Sequence, residues 1–143
     1  MVTLRALVID DSSTMRRLIM KTLMKANVAD FLFDEAEDGI EAVHKFLTSP
    51  PDMIFCDWNM PRMNGYNFAR RVRADSRYDH IPIVMITSEK VLKRIEEAFN
   101  RARVDRYITK PYTVEEVRSR VLPLVRRIEE GGKGKGGQQK KAA

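Results

Sequence analysis

A chain of 143 residues, 43% hydrophobic and 32% charged, has the make-up of one soluble globular domain with a real core. No apolar run approaches the roughly 18 residues that span a bilayer, and the opening MVTLRALVIDD turns acidic too soon for a signal peptide. The single cysteine, Cys56, excludes an intrachain disulfide framework, so the expected location is the cytoplasm, with no membrane partner. The formal charge of +6 does not mark a specific nucleic-acid binder. Lys133, Lys135, Lys140 and Lys141 all lie in the final GGKGKGGQQKKAA, and six less these four leaves +2. That Gly/Lys/Gln stretch cannot bury enough apolar surface to order itself. Residues 1–130 are therefore expected to form the domain and 131–143 a disordered basic tail.

Along the chain, apolar runs alternate with amphipathic stretches. Leu4–Ile9 reads as a strand. Met15, Leu18, Ile19 and Leu23 then recur at helical spacing, with Ser12 or Ser13 as N-cap. Phe31–Asp34 is a short strand, and Ile40, Val43 and Leu47 mark a helix over 39–48, stopped by Ser49-Pro50-Pro51. Met53–Cys56 is a continuous apolar strand. Phe68 and Val72 predict a helix over 65–74. Ile81–Ile86 is the next strand, and Val91, Leu92, Ile95 and Phe99 form another helical stripe. Tyr107-Ile108 is a fifth short strand. Thr113-Val114-Glu115-Glu116 has the form of a capping box and opens a last helix through Val117, Val121, Leu124 and Ile128. Pro123 falls inside that helix, where it removes a hydrogen bond and predicts a kink. Five β-α units with near-continuous apolar strands imply an α/β fold whose parallel sheet is covered by helices on both faces. A doubly wound five-stranded sheet in the flavodoxin-like order 2-1-3-4-5 is expected.

In such sheets ligands bind outside the carboxyl ends of the strands. The first strand ends in Asp10 and Asp11, the third in Asp57, the fourth in Thr87 and Ser88, and the fifth in Lys110-Pro111. Carboxylates gathered at one rim repel. At about 4 Å and an effective dielectric near 20, each like pair costs roughly 4 kcal/mol. Oxygen ligands with no His or Cys cluster suit Mg²⁺ or Mn²⁺ rather than Zn²⁺, and Lys110 adds a mobile positive charge. A divalent cation, a lysine and a threonine around Asp57 are equipped to neutralise a phosphoryl group in transfer, with the carboxylate as nucleophile.

The segments LVIDDSSTMRRL, FCDWNMPRMNGY, VMITSE and DRYITKPY resemble the receiver domain of two-component response regulators, in particular the stand-alone chemotaxis regulators of the CheY type. The resemblance covers about 4–128. It implies that Asp57 is the phosphoacceptor. It also implies that Asp11, Asp57 and the main-chain carbonyl of Asn59 bind the metal directly, with Asp10 acting through water. Thr87 and Lys110 would contact the phosphoryl group, Tyr107 would be the aromatic that moves with Thr87, and Lys110-Pro111 a cis peptide. Asn59 and Glu89, two residues past Asp57 and Thr87, would tune self-dephosphorylation. The implied partners are a histidine kinase, a downstream protein such as a flagellar motor switch, and a phosphatase. No output domain follows, so the switched face of the fourth helix, fifth strand and fifth helix must bind another protein. The chain would act as a monomeric switch rather than an enzyme. One departure stands out: Arg103 fills a position where the family usually has Gly, so the turn there is expected to be built differently.

Other readings remain open at this stage. Within the class, the chain could be a phosphorelay intermediate or a regulator of another enzyme. Outside it, an Asp-nucleophile phosphatase usually carries a second acid two residues after its nucleophile, where this chain has Asn59. A nucleic-acid contact through the tail is the third. Cys56 reads as core filling, His44 and His80 as surface residues, Trp58 as a partly exposed aromatic beside the acceptor, and Met15, Met20, Met24 and Met53 as packing. Arg16-Arg17 reads as a solvated helix face that could also dock the kinase.

Overall fold

A computed structural model describes residues 1–136. Strands β1 (Thr3–Ile9), β2 (Asp30–Ala36), β3 (Met53–Cys56), β4 (Ile83–Thr87) and β5 (Arg106–Thr109) alternate with helices α1 (Ser13–Ala26), α2 (Gly39–Thr48), α3 (Gly65–Arg73), α4 (Leu92–Asn100) and α5 (Val114–Gly136). All pairings are parallel and the order is β2-β1-β3-β4-β5, as expected. Alternation along each strand splits the core in two. Leu7, Ile9, Ile54, Cys56, Ile83 and Met85 pack toward α2, α3 and α4. Ala6, Val8, Phe55, Val84, Ile86 and Ile108 pack toward α1 and α5.

Caps set the helix starts. Ser12 accepts the Met15 N–H to open α1, and Asn27, left-handed at φ 55°, closes it. Asp38 caps α2 by accepting the Glu41 N–H, and Glu41 reaches back to accept the Glu37 N–H. Thr113 and Glu116 form the expected capping box of α5 at 3.1 Å in both directions. Helix α4 has no side-chain hydrogen bond from its N-cap, Val91.

Two local expectations need correction, the start of β4 and the turn at Arg103. Strand β4 begins at Ile83, because Pro82 has no N–H to give a ladder, and a 3-10 turn at Ser76–Tyr78 precedes it. Arg103 keeps a left-handed backbone, φ 50°, rather than rebuilding the turn. Its Nη2 donates to the Arg73 carbonyl at 2.8 Å, and its own carbonyl accepts from Arg73 Nε at 3.1 Å. These bonds offset a strain of about 1–2 kcal/mol. Pro123 lies on the exposed face of α5, and the helix continues through it. The carbonyl it deprives of a donor, that of Ser119, belongs to an exposed residue, where water can satisfy it. Helix α5 extends to Gly136. The rest of the expected tail, 137–143, lies outside the described residues.

Candidate functional site

Register places the chemistry. Ile9 pairs with Cys56, Cys56 with Met85, and Thr87 with Thr109. The next residues of β1 and β3, with the end of β4 and the residue after β5, therefore share one rim. Asp10, Asp11 and Asp57 each offer a carboxylate oxygen, all within 4.8 Å of one another. Lys110 Nζ lies 2.9 Å from Asp10 Oδ2 and 3.6 Å from Asp57 Oδ2. Asp10 Oδ1 accepts the Ser12 N–H at 2.9 Å, and Asp57 Oδ1 accepts the Trp58 N–H at 2.7 Å. The Lys110–Pro111 peptide is cis.

Electrostatics follow from this crowding. Partial burial, then the Asp10 and Asp57 charges, hold the Asp11 carboxyl above its ordinary range. Burial alone would push the Lys110 ammonium down. The hydrogen bond to Asp10 and the charges of Asp57 and Asp10 outweigh it and leave the ammonium raised, so it stays charged. Three hard oxygen donors, whose mutual repulsion Lys110 relieves only in part, are a donor set that fits Mg²⁺ or Mn²⁺. Asn59 sits exposed on the same loop, two residues past Asp57.

Thr87 is fully buried, and its hydroxyl accepts the Glu89 N–H at 3.2 Å. Tyr107 is 6% exposed, and its hydroxyl donates to the Glu89 carbonyl at 2.8 Å. The Glu89 carboxylate accepts the Val91 N–H at 3.2 Å, just before the first turn of α4. Thr87, Glu89 and Tyr107 thus form one chain of bonds from the rim to the start of α4.

Three readings of neighbouring residues change. Trp58 is 3% exposed, not partly exposed. Its ring stacks on Tyr66 at 5.0 Å, with the Arg94 guanidinium 5.7 Å from its centroid. Arg16 is not solvated: Nε binds Glu35 at 2.8 Å and Nη1 the Asp10 carbonyl at 2.6 Å. Met24 is exposed rather than packed. Cys56 is buried as expected, and burial pushes its thiol well up; His44 and His80 are exposed.

Residues that sequence reasoning passed over also frame the site. A Cβ on Gly65 would stand 1.8 Å from the Asp57 carbonyl. Asp38, 3% exposed, binds Arg62 at 2.8 Å and ties the β2–α2 loop to the β3–α3 loop. Burial would raise the Asp38 carboxyl, but the Glu41 N–H and Arg62 hold it below its ordinary range. The sequence signal for Asp38 was its spacing to Glu41; Gly65 offered none.

A family profile described as response regulator receiver domain matches residues 6–122. The chain belongs to this family. It is 42% identical over 119 residues to chemotaxis protein CheY1 of Helicobacter pylori, covering 82% of this chain and 94% of that protein. It is 35% identical over 125 residues to chemotaxis protein CheY of Pseudomonas aeruginosa, covering 87% and 98%. Among solved structures, the receiver resembles chemotaxis response regulator CheY4 of Vibrio cholerae, with TM-score 0.71 and 30% identity over 89% of this chain and 99% of that one. Among the described residues, no helix is long and apolar enough to cross a membrane.

Proposed function

We propose that this receiver is a cytoplasmic, monomeric switch in which Asp57 takes a phosphoryl group from the phosphohistidine of a histidine kinase. The observation that carries this reading is the gathering of Asp10, Asp11 and Asp57 within 4.8 Å, with Lys110 bridging Asp10 and Asp57. Asp57 Oδ2 attacks phosphorus, the P–N bond breaks, and the imidazole nitrogen keeps the electron pair and takes up a proton. A Mg²⁺ or Mn²⁺ ion, held by Asp11, Asp57 and the Asn59 carbonyl, with Asp10 through water, would supply charge neutralisation for the phosphoryl oxygens. Lys110 then pairs with one of those oxygens and Thr87 donates to another. Turning the Thr87 hydroxyl toward phosphate gives up its bond from Glu89. Tyr107 holds the same residue, so the β4–α4 loop and the α4–β5–α5 face rearrange together.

That face exposes Val91, Leu92 and Phe99, which suits a protein partner. The likeness to chemotaxis regulators favours a flagellar motor switch protein, with a phosphatase resetting the signal. Asn59 and Glu89 flank the path of attacking water and tune the lifetime of the acyl phosphate, so self-phosphorylation and self-dephosphorylation are intrinsic to the chain. The test is labelling by a phosphorylated histidine kinase or a small phosphodonor with Mg²⁺. Acid-stable, base-labile phosphate is expected on the wild type and none on Asp57→Asn. Full stoichiometric label on the variant contradicts the assignment.

A further inference from the structure

Asp11 has an unusual position among the three acids. Lys110 pairs with Asp10 and Asp57, but among the described residues Asp11 is in no ion pair, and it is the exposed member of the set. Its placement therefore depends on the main chain that carries it. The Asp10 carbonyl and the Asp11 N–H belong to one rigid peptide plane. Whatever fixes that carbonyl also fixes where the Asp11 side chain starts.

Arg16 does this. Its Nη1 donates to the Asp10 carbonyl at 2.6 Å and its Nε to Glu35 Oε1 at 2.8 Å. Its main-chain N–H donates to the Ser12 carbonyl at 3.0 Å and closes the first turn of α1. The side chain is only 13% exposed, although the next residue, Arg17, lies in solvent. One guanidinium thus ties the end of β1 to β2 and to the first turn of α1. We propose that Arg16, anchored by Glu35, is a positioning residue for the metal site: it orients the Asp10–Asp11 peptide so that Asp11 can serve as a ligand. This rests on the metal-binding part of the function proposed above.

The sign of the effect separates positioning from charge. A positive side chain near a cation site opposes cation binding through Coulomb's law. Removing Arg16 should therefore tighten Mg²⁺ binding if charge were all that mattered. A positioning role predicts the opposite, because loss of a partner that orients a ligand typically costs about tenfold or more in metal affinity.

The experiment titrates Mg²⁺ into the full chain, read by calorimetry and by Trp58 fluorescence, for wild type, Arg16→Met, Arg16→Lys and Arg17→Met. Circular dichroism without metal checks that each variant is folded. Arg16→Met is expected to weaken Mg²⁺ about tenfold, with Arg17→Met unchanged or slightly tighter. Arg16→Lys keeps the charge but cannot hold both partners with a planar fork, so it is expected to weaken binding severalfold. It also decides the matter if Arg16→Met fails to fold. Wild-type affinity, or tighter, in Arg16→Met or in Arg16→Lys overturns the proposal while leaving the metal site intact. Absence of saturable Mg²⁺ binding in the wild type instead overturns the metal site itself.

Discussion

Gly65 shows how closely Asp57 is built into the backbone. Its N–H donates to the Trp58 carbonyl at 2.8 Å, and a Cβ there would meet the Asp57 carbonyl at 1.8 Å and Cys56 Sγ at 2.8 Å. Backbone cannot yield as a side-chain tip can. Gly65→Ala should therefore cost about 3 kcal/mol in urea unfolding, near the upper end for an overpacked site; a loss under 0.5 kcal/mol would show that the β3–α3 loop gives way easily. Tyr107 supplies a pH signature. Burial first, then the Glu89 and Asp57 charges, push its phenol from 10.0 up to about 12. The folded value lies above the unfolded one, so this contribution to stability is complete below pH 10 and is lost as pH rises through about 12. Spectrophotometric titration of wild type against Tyr107→Phe should show one phenol ionising late; an ordinary midpoint would mean the ring is not held inside. The acids and Lys110 were legible in sequence because each lies within two residues of a strand end. Gly65, Arg16 and Asp38 were not, since their partners lie on other loops that come close only in the folded chain.

Element type was mostly written in periodicity and caps: all five strands and five helices were legible, with errors of a few residues at their ends. Strand β4 shortened at Pro82, and β2 lengthened to Ala36 because β1 offers it a full parallel partner through Ile9. Helix α5 is the informative exception. Pro123 removes one hydrogen bond, yet the helix continues through it, with Val121, Leu124 and Val125 buried on either side. Packing of that apolar stripe outweighs one missing bond on the wet face. Pro123→Ala restores the bond to Ser119 and a better helix former, so stability should rise by about 1–3 kcal/mol. Thermal and urea unfolding of the variant check this. A destabilised variant would mean that Pro123 itself is part of the packing.

For the whole chain, one rim gathers the acids and Lys110, and one bonded path leads from Thr87 through Glu89 to Tyr107 and α4. Trp58 is placed to report on it. The ring is buried and stacked on Tyr66 with Arg94 of α4 nearby, and the main-chain N–H of Trp58 donates to Asp57 Oδ1. The most direct measurement follows Trp58 fluorescence while Mg²⁺ and then beryllofluoride, a phosphoryl mimic, are added to wild type and to Asp57→Asn. A saturable response to metal is expected, followed by a second saturable response that the variant lacks. A second response of full size in Asp57→Asn, or none in the wild type after metal has bound, would contradict Asp57 as the phosphoacceptor of a working switch.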